Sequence, residues 1–340
     1  MNPSSFEEWL FRSFAVGAIG AAFVSLCPAG WRVRVRLAIP VVVFGVLLAL
    51  SFGILRPLPR MEVRAPAFVA EWAALPGGWA TPWLISIFWL GVLFFLARMT
   101  AGVLEVRRIL RSSRAVRGRS WKVLVRECQR ALGLRGHVRL RLSGPDFVPG
   151  ATGLFRRTVL LPDEALQWTR EQRRLVLLHE LGHFRRRDLW THVLGRIACA
   201  LHWFNPFVWM LHRRLAMERE FACDALVVSR GVPRADYATL LWKMGVAARG
   251  PRLAASAFLA MAAPGRGKLE QRVRRILAPV REAGLCLRVA DSAFCGFSAL
   301  LLTVCASLKP VVVRSFLGVS QWTAQEIEAR LAADPFPGER

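Results

Sequence analysis

The chain has 340 residues, 54% of them hydrophobic, and a mean hydropathy of +0.35, which is too apolar for a purely soluble globule. Charged residues still make up 21%, too many for a chain lying wholly inside a membrane, and the apolar and aromatic content excludes intrinsic disorder. The net charge is +25, and the seven cysteines (Cys27, Cys128, Cys199, Cys223, Cys286, Cys295, Cys305) are scattered without a C-x-x-C pair, so neither a disulfide framework nor a cysteine zinc cluster is written here.

Apolar stretches at 10–31, 37–55 and 79–97 predict three membrane-spanning helices, and a fourth is predicted at 289–308. The first stretch carries Arg12 and Pro28, and the fourth carries Asp291, which needs an interface or a partner. Glu7 and Glu8 stand where a cleaved signal peptide has basic residues, so the first stretch is read as a span. Arg32, Arg34 and Arg36 follow it, and Arg98, Arg107, Arg108, Arg111, Arg114, Arg117, Arg119 and Lys122 follow the third. Basic loops stay cytoplasmic, which predicts a multi-pass protein of the cell (inner) membrane with its N-terminus outside. The expected organisation is three spans within 1–97, a cytoplasm-facing domain at 98–288, the fourth span, and a short external tail at 309–340.

Nearly all of the net positive charge falls within 98–290, which favours anionic headgroups or acidic partners. The arginines are spread through apolar helices instead of forming a basic arm with stacking aromatics, which weighs against nucleic acid as a partner.

The soluble stretch opens with a basic, helix-like segment. Alternation over 138–142 predicts a half-buried strand, with a turn at 143–146, and a second strand is predicted over 157–161, stopped by Pro162. Thr169 and Gln172 have the spacing of a capping box and start a helix that should run to about Phe184. Asn205 and Pro206 suit an N-cap and first helical position, predicting a helix that extends toward Val227. Between these, the apolar run 189–210 contains His192, Arg196, His202 and the Asn205–Pro206 break, and Asp188 precedes it. It is read as a buried or membrane-apposed helix pair and not as a fifth span.

Five of the six histidines lie between positions 179 and 212, and two of them form His179-Glu180-Leu181-Gly182-His183. Four residues apart on a helix, the imidazoles share one face and can grip one ion, and H-E-x-x-H is a zinc-binding spacing. Glu180, beside the first histidine, can reach a water held by the metal and act as general base, later passing the proton to the leaving amine. A catalytic zinc keeps three protein ligands and an open position, so a third ligand comes from elsewhere. Glu220 and Asp224 lie four apart on the predicted downstream helix, so one can bind metal while the other accepts a hydrogen bond from a ligating histidine. Glu218 points some ~160° away from Glu220 on a helix, which makes Glu220 the preferred ligand. The competing view of Glu220 and Asp224 is a solvated face paired with Arg214 or Arg219. Cys223 is expected to be a small buried residue, and His192, His202 and His212 to be core histidines; one of these histidines, or Tyr237, is a candidate oxyanion stabiliser.

With these residues in view, the chain resembles the membrane-embedded zinc peptidases that act as signal transducers beside beta-lactam-responsive repressors, a family related to the membrane prenyl-protein and heat-shock metallopeptidases. The resemblance rests on HELGHFRRRD at 179–188, HWFNPFVW at 202–209, EREFACDALV at 218–227 and LEQRVRRIL at 269–277, and more loosely on LFRRTVLLPDEAL at 154–166. It implies His179, His183 and Glu220 as ligands of one Zn2+, Glu180 as catalytic base, Asp224 as the carboxylate supporting a ligand, and a repressor as protein substrate. It departs from the family where the sensor-transducers carry a penicillin-binding domain. About 30 residues follow the fourth span, so no beta-lactam sensor is expected, and the stimulus would come from a separate partner or from the loop 56–78.

The sequence therefore predicts an α-helical membrane protein of about four transmembrane helices with an inserted, mainly α, α+β zincin-like metallopeptidase domain. A substrate segment is expected to add as a strand near 157–161. Two rivals remain: a membrane-protein quality-control or precursor-processing protease, and a non-catalytic receptor or scaffold with structural zinc.

Overall fold

The computed structural model describes residues 3–26, 33–51, 80–144, 147–247 and 266–278. The fourth predicted span at 289–308, the loop 56–78 and the tail 309–340 lie outside the described residues. Helices α1 (Pro3–Leu26) and α2 (Val33–Ser51) fall on the first two apolar stretches. Helix α3 (Ala80–Ser112) begins on the third and runs on without a break through the basic segment after it. Its stretch Trp83–Ser112 is, among the described residues, the one helix long and apolar enough to cross a membrane; the apolar parts of α1 and α2, Trp9–Ser25 and Arg36–Ser51, are shorter. Trp83, Leu84, Ile87, Leu90, Leu93 and Phe94 of α3 are all exposed.

After α3 the chain forms strand β1 (Arg114–Ala115), helix α4 (Arg119–Leu132), strands β2 (Arg139–Leu142), β3 (Gly150–Thr152) and β4 (Thr158–Leu161), a 3-10 turn at Asp163–Gln167, and helix α5 (Arg170–Arg186). The sheet order is β1-β2-β4-β3, with β2 and β4 parallel and the two outer pairings antiparallel. Helix α4 buries Trp121, Leu124, Val125, Cys128 and Leu132, a helical-period stripe that packs with Val159 and Leu161 of β4 and Leu177 and Leu181 of α5. The expected strand at 157–161 is thus the middle of the sheet, hydrogen-bonded on both sides. It has no free edge to offer a substrate; β3, which pairs only with β4 among the described residues, has one.

Helices α6 (Asp188–Leu201) and α7 (Pro206–Val228) account for the apolar run 189–210 as a hairpin. Its two arms pack against α1 and α2 in one apolar cluster that includes Val16, Val43, Phe44, Leu47, Cys199, Val208, Leu211 and Leu215. The contacts fix direction. Gly195 faces Phe44, and His202, just past α6, reaches the Leu47 carbonyl and the Ser51 hydroxyl, so α6 runs parallel to α2. Helix α7 then returns, with Leu211 beside Gly20 and Glu218 at Arg36 near the start of α2. Polar groups at the tip are satisfied internally: His202 pairs with Ser13 at 2.7 Å, and Asn205 caps α7 through Phe207 N–H while its own amide donates to the Ser13 carbonyl. Helices α8 (Arg234–Ala247) and α9 (Arg266–Leu277) pack on each other, and α9 rests on α7.

The hairpin depends on close approach. A methyl at Gly195 would overlap the His212 ring and press on Phe44, whereas one at Gly45 would meet nothing. Gly45→Ala should therefore gain about 1 kcal/mol from helix propensity. Gly195→Ala should instead lose about 1–3 kcal/mol to overpacking. Thermal unfolding in detergent reads both, and equal effects at the two sites would contradict this packing.

Candidate metal centre

The capping box starts α5 as expected: the Thr169 hydroxyl accepts from Gln172 N–H, and the Gln172 side chain accepts from Thr169 N–H. From that fixed start, every residue from Leu175 to Phe184 is buried, so the helix runs through the core and not along the surface. His179 and His183 stand one turn apart with ring centroids 5.0 Å from each other. Helix α5 ends at Arg187, whose left-handed φ of 59° turns the chain directly into α6 and brings Asp188 back under His183.

Glu220 comes from α7 on the opposite side. Its Oε2 lies 3.5 Å from His179 Nε2 and its Oε1 3.7 Å from His183 Nε2. Donor atoms of His179, His183 and Glu220 all fall within 4.8 Å of one another, and all three residues are buried. The sequence alternative of a solvated Glu220–Asp224 face does not hold, since both are buried and Arg219 is buried with them.

The far nitrogen of each histidine is engaged. His183 Nδ1 lies 2.9 Å from Asp188 Oδ2, with the Cys223 sulfur 3.3 Å away. His179 Nδ1 lies 3.2 Å from Asp224 Oδ1 and 3.1 Å from the Tyr237 hydroxyl, which donates to the same carboxylate at 2.7 Å. With Nδ1 engaged by a carboxylate in each case, Nε2 is the nitrogen turned toward Glu220, and once deprotonated it can serve a metal. Asp224 thus lies behind His179, on the side away from Glu220. Asp188 plays the matching part for His183, a pairing that sequence reasoning missed although Asp188 ends the HELGHFRRRD block.

Arg272 of α9 was also missed. Its guanidinium donates to Asp224 through Nε at 2.8 Å and Nη2 at 2.7 Å, and Nη1 pairs with Glu220 at 2.9 Å. One planar fork therefore ties the candidate ligand to the carboxylate behind His179. LEQRVRRIL offers several arginines, and nothing in the string marks the one that turns inward. Tyr237, by contrast, stands behind His179, as a support of that ring. His202 lies at the hairpin tip, and His192 sits beside Arg219, 3.2 Å from its Nη2.

Charge in the centre is set by these contacts. Burial pushes the Glu220 carboxyl up, but Arg272 and the two histidines outweigh it and hold it down at about 2. Asp224 is likewise held well below the carboxylate range, burial being overcome by Arg272 and by the hydrogen bonds from Arg272 and His179. Burial would push the His179 imidazolium down, yet hydrogen bonds to Asp224 and Glu220 raise it to about 10. Glu180 is pushed up, chiefly by burial. Its Oε2 is buried and has no hydrogen-bond partner among the described residues.

Two imidazoles and one carboxylate converging in a buried pocket form a donor set that suits a divalent metal with coordination left open, and the orphaned Glu180 oxygen beside them suits a group that handles a water molecule. The residues present therefore fit a metal.

Metal must displace the proton that His179 holds below about pH 10, whereas Glu220 is already ionised. Apparent metal affinity should therefore rise with pH across the neutral range, with proton release on binding, measurable by chelator competition and by calorimetry in buffers of differing ionisation enthalpy. The raised His179 pKa also stabilises the metal-free fold below the ordinary value of 6.5, a contribution lost as pH rises through about 10. Melting of the apo protein should fall over that window. Asp188→Asn, which turns an acceptor toward His183 into an ambiguous amide, should cost about 10–100-fold in metal affinity.

A family model described as BlaR1 peptidase M56 matches residues 73–276, a stretch that runs from before α3 to the end of α9 and contains every residue of the centre. The Regulatory protein BlaR1 of Bacillus licheniformis is 27% identical over 145 residues, which is 42% of this chain and 24% of that protein. The match thus spans about a quarter of that relative's length. A family match over more than half the chain, together with a buried His–His–Glu cluster inside the matched region, makes this protein a member of the BlaR1 peptidase M56 family.

Proposed function

We propose that this chain is an integral-membrane zinc endopeptidase whose active site faces the cytoplasm and whose task is regulatory proteolysis of a cytosolic transcriptional repressor. The observation that carries the enzymatic reading is Glu180 Oε2, buried and without a hydrogen-bond partner among the described residues, beside His179, His183 and Glu220. A purely structural ion would not call for that carboxylate.

His179, His183 and Glu220 would hold one zinc ion. When bound, such an ion supplies Lewis acidity toward the scissile carbonyl and makes water acidic enough to attack at neutral pH. Glu180 takes the proton of the attacking water on Oε2 and then delivers it to the amine that departs. Its raised proton affinity, caused by burial, suits a base that must hold that proton for the duration of the step. Asp188 and Asp224 keep the imidazoles aimed and in one tautomer, and Arg272 and Tyr237 keep Asp224 in place. An extended substrate would pair with the free edge of β3, next to α5, so that a main-chain carbonyl passes over the histidines. The family's regulatory relative supports a signalling role, and the long apolar α3 followed by a basic segment supports a cytoplasmic orientation.

Glu180→Gln should fold, retain zinc and lose at least about a hundredfold in cleavage, in line with loss of a general base. Comparing the proteomes of cells carrying intact and Glu180→Gln protein should reveal one accumulating cytosolic repressor. Wild-type cleavage by the variant would refute the role of Glu180, and accumulation of many damaged membrane proteins would point to quality control.

A further inference from the structure

We propose that the buried ion pair of Arg36 and Glu218 is a positioning contact that couples the first turns of α2 to the reach of the metal ligand Glu220. Displacement of α2 then changes the affinity of the centre. This rests on the metal reading given above.

Arg36 Nη2 lies 3.2 Å from Glu218 Oε2, and the side chains are only 3% and 1% exposed. Arg214 approaches the other carboxylate oxygen at 3.5 Å from a half-exposed position. Burying such a pair does not in itself strengthen a fold, because an apolar pair of similar volume holds two helices at least as well. What the pair adds is attraction between opposite charges at one place: sliding or rotating α7 against α2 separates them.

The neighbouring residues give that constraint its target. Three consecutive side chains of α7 bind three different partners. Glu218 holds α2; Arg219, fully buried, donates to the Asp188 carbonyl at 3.2 Å and touches His192 of α6; Glu220 faces His179, His183 and Arg272. Glu218 and Glu220 project some ~160° apart and about 3 Å along the axis, so α7 is clamped from opposite sides at nearly one level. A rotation of α7 that follows Arg36 outward withdraws Glu220 from the histidines. Helix α2 also has a weak point at this place, because Pro40 lacks the N–H that would bond the Arg36 carbonyl four residues earlier. Coupling of this kind is reciprocal, so metal binding must in turn tighten the start of α2.

The test uses the full chain in detergent micelles with Co2+ as probe. It compares wild type, Arg36→Lys, Arg36→Met and Glu218→Gln by visible absorption, chelator competition and hydrogen exchange over residues 33–40, with circular dichroism to establish folding. Expected are affinities within about threefold of wild type for Arg36→Lys, and losses of about tenfold or more with an altered Co2+ spectrum for Arg36→Met and Glu218→Gln. Exchange at 33–40 should slow on Co2+ addition in wild type and not in Arg36→Met. Wild-type affinity and spectrum in folded Arg36→Met or Glu218→Gln would overturn the proposal, as would equal losses in Arg36→Lys and Arg36→Met. Should Arg36→Met fail to fold, Glu218→Gln decides alone, since it removes the charge and keeps the shape. If wild type takes up no Co2+ in a manner dependent on His179, the metal reading fails first and the coupling with it.

Discussion

Two imidazoles one helical turn apart need a third donor from another element to form a metal site, and in this protein the group placed beside them is a glutamate on the returning arm of a buried hairpin. Helix α7 starts beside α1 and α2, passes Arg36, and then presents Glu220 and Asp224 to α5. The centre is therefore built across the junction between the apolar helices and the sheet domain. Neither part makes it alone.

The polar groups around the centre fall into two sets of contacts, one behind each histidine. Arg272 holds Glu220 and Asp224, Asp224 holds His179 and Tyr237, and Asp188 with Cys223 holds His183. In so dry a place each charge needs a partner, because an unpaired one costs several kcal/mol. Glu180 Oε2, beside the two histidines, has no hydrogen-bond partner among the described residues.

The apolar cluster solves a second problem. His202, Asn205, Ser13 and Ser51 put polar atoms among hydrophobic helices, and they satisfy one another across three chain segments far apart in sequence. That reciprocity fixes the hairpin tip against α1 and α2, much as Glu218 fixes its emergence against Arg36. The hairpin is thus pinned at both ends, and Gly195 lets its arms and α2 come together in between.

Much of this was legible in the string of residues, because it is governed by local rules. The capping box, the one-turn spacing of His179 and His183, the Asn205–Pro206 start and the four-residue spacing of Glu220 and Asp224 each follow from helix geometry over a few neighbouring positions. Other features depend on which segments meet in space. That 157–161 is the middle strand and β3 the edge was decided by strand order, which alternation does not encode. The inward turn of Arg272 from among the arginines of α9, the folding back of Asp188 beneath His183, and the meeting of Arg36 with Glu218 were likewise decided only by the tertiary structure. A charged side chain reads the same in sequence whether it meets water or a buried partner, and only packing says which.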